Sequence, residues 1–317
     1  MALPDPIPTH TPYDGSAKPF AIGLKPLDPA DWIEVDALLG DYLAEKDRHY
    51  AQIPEKVFMA EPETLAGQRE VLDALVDFLP ARFPETYRRG AHEMTISGGI
   101  DGPDRVVPLD AASEPPLMTA SRLVQEDLVL MRKGRDGWRL AAASLCFPSS
   151  WSLAEKFGRP LSDIHAPVPD FGPGTRSAEL IERMFDKLQG QAVWRLNWSI
   201  AADPSLYLPL SQGARQDRAD GSLMRFPGAD PIAAAFIRVE RQTLRKMPRS
   251  GDILFTIRIH VDPMSVLARH PDRAKLAAGF ADQLSGLDEA QLAYKGLHND
   301  RDRLVAALRA LASGAPA

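Results

Sequence analysis

The chain has 317 residues, 44% hydrophobic and 25% charged, with a formal net charge of -6. That is enough for a sizeable core, and it leaves no broad positive field to attract phosphate backbones, which sets nucleic acid aside as a partner. The single cysteine, Cys146, excludes an intrachain disulfide, an iron-sulfur cluster held by four thiolates of this chain, and a thiolate-rich zinc site.

Residues 1–26 are proline-rich and aperiodic, and read as an extended arm over the domain surface or as partly disordered. The opening "MALPDPIPTHTPYDG" has no basic stretch leading into an apolar one, and no apolar run approaches the roughly 20 residues that span a bilayer. A cytoplasmic protein with no membrane partner is expected. Domains average roughly 150 residues, yet one domain over 27–317, helical from about 264, is favoured over two. From Asp28, with Pro29 at a first helical position, Trp32, Val35, Leu38, Leu39, Tyr42 and Leu43 recur at helical spacing and predict one amphipathic helix. A second is predicted from about Pro62 to Leu79, with Pro80 stopping it.

The stretch "LVLMRKGRDGWRLAAASLCF" predicts a β-hairpin turning at Gly134-Arg135-Asp136-Gly137. In "PSSWSLAEKFGRPL", Ser152 and Glu155 have capping-box spacing and Gly158 ends a short helix. Next comes "SDIHAPVPDF", where Pro167 and Pro169 predict a stiff, extended mount for His165. A helix from Ser177 to about Leu188 precedes the strand "AVWRLNWSI". In that strand Trp194, Leu196, Trp198 and Ile200 alternate with Val193, Arg195, Asn197 and Ser199. Residues 201–231 read as a long connection that serves as a lid. Strands "FIRVERQTL" and "DILFTIRIHV" follow as an antiparallel pair, and the remainder is helical. Helices, an antiparallel meander with short inserted helices, then helices again make an α+β fold.

On "FIRVERQTL", Ile237 and Val239 facing a packed layer would leave Arg238, Glu240 and Gln242 on the opposite face. Pairing apolar to apolar across the hairpin adds Arg258 and His260 to that face, and a one-residue register shift reverses this. Such a face is either a salt-bridged solvent surface or the wall of a cavity. In the second case Glu240 offers a carboxylate to a cationic substrate, and Arg238 or Arg258 a fork to ligand carboxylates. The unit around Trp151, Lys156 and His165 either brings an indole, an ammonium and an imidazole to one pocket or packs a core indole beside a solvated lysine. Trp194 and Trp198 read first as core, and equally suit the wall of a flat apolar cofactor. His10, His49, His92, His270 and His298 form no metal-ligand pattern such as HExxH, and a closed zinc site is not expected. No GxSxG elbow, GxGxxG fingerprint or phosphate loop is present.

Four blocks together, "LVQEDLVLM", "LCFPSSWSLAEKFGRPLSDIHAPVP", "VWRLNWSI" and "IRVERQTLRKMPRSGDILFTIR", resemble the heme-dependent oxidative N-demethylase alpha-subunit family over roughly residues 20 to 265. The resemblance implies a PAS-like α+β fold holding a heme b on which O2 and a small secondary amine such as dimethylamine react, with release of formaldehyde. It also implies electrons from NADPH through FMN and an iron-sulfur cluster on a partner reductase. The lone cysteine and the missing dinucleotide fingerprint independently require that electrons arrive from another chain. With a heme to be held, His165 becomes the expected axial ligand of the iron. Lys156, Arg195, Trp151, Trp198 and Arg258 become expected heme contacts, with Glu240 and Arg238 the expected catalytic pair. A heme-binding sensor or carrier without turnover is the alternative.

Overall fold

The computed structural model describes residues 7–98, 102–210 and 224–314, and among these described residues the chain forms ten strands. In chain order they are β1 (Lys25–Pro26), β2 (Phe58–Ala60), β3 (Tyr87–Arg89), β4 (Glu93–Ile96), β5 (Arg105–Pro108), β6 (Asp127–Gly134), β7 (Gly137–Ser144), β8 (Val193–Ala201), β9 (Phe236–Lys246) and β10 (Ile253–Pro263). Seven of them form an antiparallel sheet in the order β1-β8-β9-β10-β6-β7-β2, and β3-β4-β5 form a small separate one. The fold is α+β, as expected. The β6-β7 hairpin turns at Arg135-Asp136, with Gly134 opposite Gly137. Gly137 sits at φ 96°, a backbone angle that side-chain-bearing residues rarely adopt.

Four local expectations are corrected. The periodicity from Asp28 does not become one helix: a 3-10 turn, Pro29–Asp31, is followed by an irregular stretch, and the α-helix spans Leu39–Gln52. Long-range bonds capture the intervening backbone, since Glu34 N donates to Glu126, Asp36 N to Gln125, and Arg241 binds the carbonyls of Asp31 and Trp32. Pro80 does not stop the second helix, which runs Leu65–Arg82 and closes on the Phe83 N to Leu79 O bond. Ser152 precedes the helix Leu153–Lys156 without a side-chain capping bond. His165 is not extended but closes the short helix Leu161–His165. Pro167 acts first on Ala166, and even there the preference is overridden, since Ala166 lies in the helical region at φ -50°, ψ -36°.

The register of β9 against β10 corrects a fifth. Glu240 pairs with Ile259 and Gln242 with Ile257, so Arg258 and His260 lie on the opposite face with Val239 and Arg241. Pairing with β8 puts Asn197 beside Glu240 and Arg195 beside Gln242, and sends Trp194 and Trp198 to the far face.

Each face of the sheet therefore has its own partner layer. On one, Val129, Met131, Ile257 and Ile259 pack against the segment between β7 and β8, through Leu161 and Phe185. On the other, Leu128, Leu130 and Leu254 meet the Leu39–Gln52 and Leu65–Arg82 helices. Trp198, Ile200, Ile237 and Val239 meet the C-terminal helices Arg273–Ser285 and Arg301–Ser313. Burying such side chains supplies about 1.5–3 kcal/mol each, which makes these faces the main source of cohesion. Between the two far-side cores runs a polar seam of Glu34, Asp36, Arg241, Arg258 and His260.

The described part of the arm is fastened down. Tyr13 stacks on Phe280 at 4.6 Å, Gln283 donates to the carbonyls of Pro12 and Ala17, and β1 pairs with β8. The expected lid falls partly on residues 211–223, outside the described residues. Among the described residues no helix is long and apolar enough to cross a membrane.

Candidate functional site

A cavity of about 240 Å³ lies between the near face of the sheet and the helices inserted between β7 and β8. Its floor is the polar row Arg195, Asn197, Glu240 and Gln242 together with Phe255, Ile257 and Ile259. Its roof is Leu161, Ile164, His165, Val168 and Phe171, and Phe20, Ile22 and Leu24 of the arm close one side. A second recess of about 210 Å³ adjoins it, and the two share Ser149, Asn197, Glu240, Tyr294 and Lys295.

The short Leu161–His165 helix brings His165 Nδ1 to 2.9 Å from the Leu161 carbonyl oxygen, one turn back. A carbonyl oxygen only accepts, so Nδ1 carries the proton. Burial, reinforced by the positive charge of Lys156, pushes the imidazole pKa down to about 4. The ring is therefore neutral at pH 7, and Nε2 keeps its lone pair. Lys156 lies over the Trp151 ring, 4.3 Å from its centroid, and of the two readings of this unit the structure has the one in which indole, ammonium and imidazole line one cavity.

Alternation along β8 points Arg195 to the floor. Burial lowers its pKa against the pull of Glu240, and its Nε finds no acceptor among the described residues. Glu240 Oε2 accepts from Gln242 Nε2 at 2.8 Å and from Asn197 Nδ2 at 3.4 Å. Among the described residues Oε1 receives no hydrogen bond. Lys295, from the helix Glu289–Lys295, reaches the same corner, donating to the Trp198 carbonyl at 2.8 Å. It lies over the Phe20 and Trp198 rings, and burial pushes its pKa down to about 8.

Three expected residues stand elsewhere. Arg238 is fully buried and donates to the carbonyls of Phe147, Pro148, Ser205 and Leu206 behind the cavity wall. Arg258, on the far face, pairs with Asp36 and lies 4.1 Å over the Tyr42 ring. The Trp198 indole packs into the C-terminal helices, with Nε1 donating to Gln283. Lys295 and Phe20 were not anticipated. The alternation that singled out Arg195 also carried Asn197, whereas Lys295 has no local signal, being one lysine on an ordinary capped helix.

Among the described residues the cavity thus holds a neutral imidazole with a lone pair available, Lys156, Arg195 and Lys295 against the single carboxylate of Glu240, and apolar walls. It suits a flat, largely apolar molecule that carries negative charge and accepts a nitrogen ligand. Residues 23–305 match the model of the family described as haem-dependent oxidative N-demethylase, alpha subunit-like.

Proposed function

The chain belongs to the haem-dependent oxidative N-demethylase, alpha subunit-like family, and from that premise we propose that it holds a heme b in this cavity and oxidatively removes a methyl group from a small secondary amine. The observation that carries the reading is the donor set: cationic groups in excess of carboxylate around a neutral imidazole, with the Arg195 Nε lacking an acceptor. Those residues fit the group. The antiparallel sheet, with helices inserted over its cavity face, supports the PAS-like reading of the fold.

His165 Nε2 would bind the heme iron, held in orientation by the Nδ1 to Leu161 carbonyl bond, the arrangement that fixes tautomer and aim in metal-binding histidines. Arg195, Lys156 and Lys295 would receive the propionates, Arg195 and Lys295 sharing only the single carboxylate of Glu240 among the described residues of the cavity. Glu240 receives the substrate ammonium on Oε1, while Gln242 and Asn197 hold Oε2 and so fix the carboxylate plane. Phe255, Ile257 and Ile259 keep water away from the reacting methyl group. A bound heme supplies O2 activation and oxidation of the N-methyl group, which leaves as formaldehyde, using electrons delivered by a partner reductase carrying NADPH, FMN and iron-sulfur centres.

The test is the absorption spectrum of the protein with added heme, oxidised, reduced with dithionite and then exposed to carbon monoxide. A Soret band that shifts at both steps is expected, lost or changed in spin state in His165→Ala and retained in His260→Ala. A colourless protein, or a band that depends on His260 instead, overturns the reading.

A further inference from the structure

Away from the cavity, His10, Glu34 and His260 meet in the polar seam on the far face of the sheet. They come from the arm, from the irregular stretch before the first α-helix, and from β10. His10 Nε2 lies 2.8 Å from Glu34 Oε1, and His260 Nε2 lies 3.1 Å from Oε2. All three candidate ligand atoms fall within 4.8 Å of one another. The two imidazoles approach edge to face, centroids 5.1 Å apart and planes at 73°, and each turns its Nε2 toward the one carboxylate of Glu34. Side-chain exposures of 14%, 24% and 15% leave the cluster half-buried, with a path for an ion to enter.

We propose that His10, Glu34 and His260 form a binding site for a divalent first-row transition ion, with Zn2+ the ion the ligands suit best. Two imidazole nitrogens and one carboxylate are a set that binds such ions with a coordination position left open. Glu34 is held as a ligand carboxylate needs to be: its backbone N donates to Glu126, and the Arg241 guanidinium forms an ion pair with Oε1, Nε lying 3.1 Å away. The rest of the Arg241 guanidinium is committed to the carbonyls of Asp31 and Trp32, so it orients the carboxylate from one side and leaves the imidazole side open. The Trp194 ring stands 6.4 Å from His10 and shields the cluster. Asp262 shares the His260 face of β10, close enough to His10 for their charges to interact.

An ion here ties the arm to the sheet. The same arm contributes Phe20, Ile22 and Leu24 to the cavity wall, so its attachment bears on the shape of the cavity. The site itself stands on the opposite face of β10 from Ile259, and the proposal does not depend on heme.

The test uses the full chain, stripped with chelator and without heme, titrated with Zn2+ by calorimetry and with Co2+ by its visible d-d absorption. One ion per chain is expected, weakened by at least ~10-fold in His10→Ala and in His260→Gln. Tryptic cleavage at Lys18 and Lys25 is expected to slow on adding Zn2+ to the wild type but not to His10→Ala. His10→Ala alters the arm only, so it carries the test if His260→Gln fails to fold. The proposal is overturned if the wild type binds no ion, or if His10→Ala binds Zn2+ as tightly and protects the arm as well as the wild type does. In that case the cluster is a hydrogen-bonded triad and nothing more.

Discussion

Arg238 offers the sharpest separation between a chemical and an architectural role. The sequence pattern sets it beside Glu240 as a catalytic residue, whereas the structure gives it no exposure and four backbone carbonyls to hold. Two of those bonds, to Phe147 at 2.8 Å and Leu206 at 2.9 Å, are short, and two, to Ser205 at 3.2 Å and Pro148 at 3.4 Å, are long. A hydrogen bond from a charged donor contributes about 1.5–3 kcal/mol, so losing the two short ones in Arg238→Met costs about 3–6 kcal/mol. At about 2 °C per kcal/mol for a chain of this size, the melting temperature falls by roughly 6–12 °C. Arg238→Lys, with one ammonium in place of a fork, falls between the two. Thermal and urea unfolding of the three proteins measure this directly. A variant as stable as the wild type that has nonetheless lost amine oxidation would refute the reasoning, and would return Arg238 to the chemistry.

Glu240→Gln keeps the bonds from Gln242 and Asn197 within reach but removes the charge. Heme uptake should be unchanged, while the spectral response of the heme protein to a secondary amine needs about 10-fold more amine or greater, as loss of an ion pair worth 1.4 kcal/mol or more implies. Equal amine affinity would remove Glu240 from substrate binding. Lys295 has a folded pKa of about 8 against 10.5 unfolded, so between those values the unfolded chain binds more protons, and stability relative to Lys295→Met should rise as pH increases from 8 to 10.5. A flat difference across that window in paired urea titrations would contradict the burial of this ammonium. Gly279→Ala would place a Cβ 2.5 Å from the Asp14 carbonyl carbon and 2.8 Å from Gly15 N, both backbone atoms that cannot turn aside. A loss of about 1–3 kcal/mol is expected, with faster tryptic cleavage at Lys18 as the arm lifts; unchanged cleavage would mean that the arm is anchored elsewhere.

The sequence by itself determined the α+β class, the tight β6-β7 hairpin, the division of β8 into an aromatic and a polar face, and the block holding Trp151, Lys156 and His165. These are local properties. Period-two alternation says which residues of one strand share a face, and a two-residue turn between glycines fixes the pairing of the strands it joins. The connection from Lys246 to Ile253 is longer and fixes no register, so only packing decided that Ile259, and not His260, would face the cavity beside Glu240. That one-residue shift moved Arg258 and His260 into the seam. In the same way Trp198 belongs to the C-terminal core because helices some 75–110 residues further along cover that face of β8. Lys295 joins Glu240, and His10 joins His260 through Glu34, across separations at which periodicity carries no information. Such contacts are made by whichever buried polar groups must find a counterpart once the sheet and its layers are closed, and closure is a property of the whole chain.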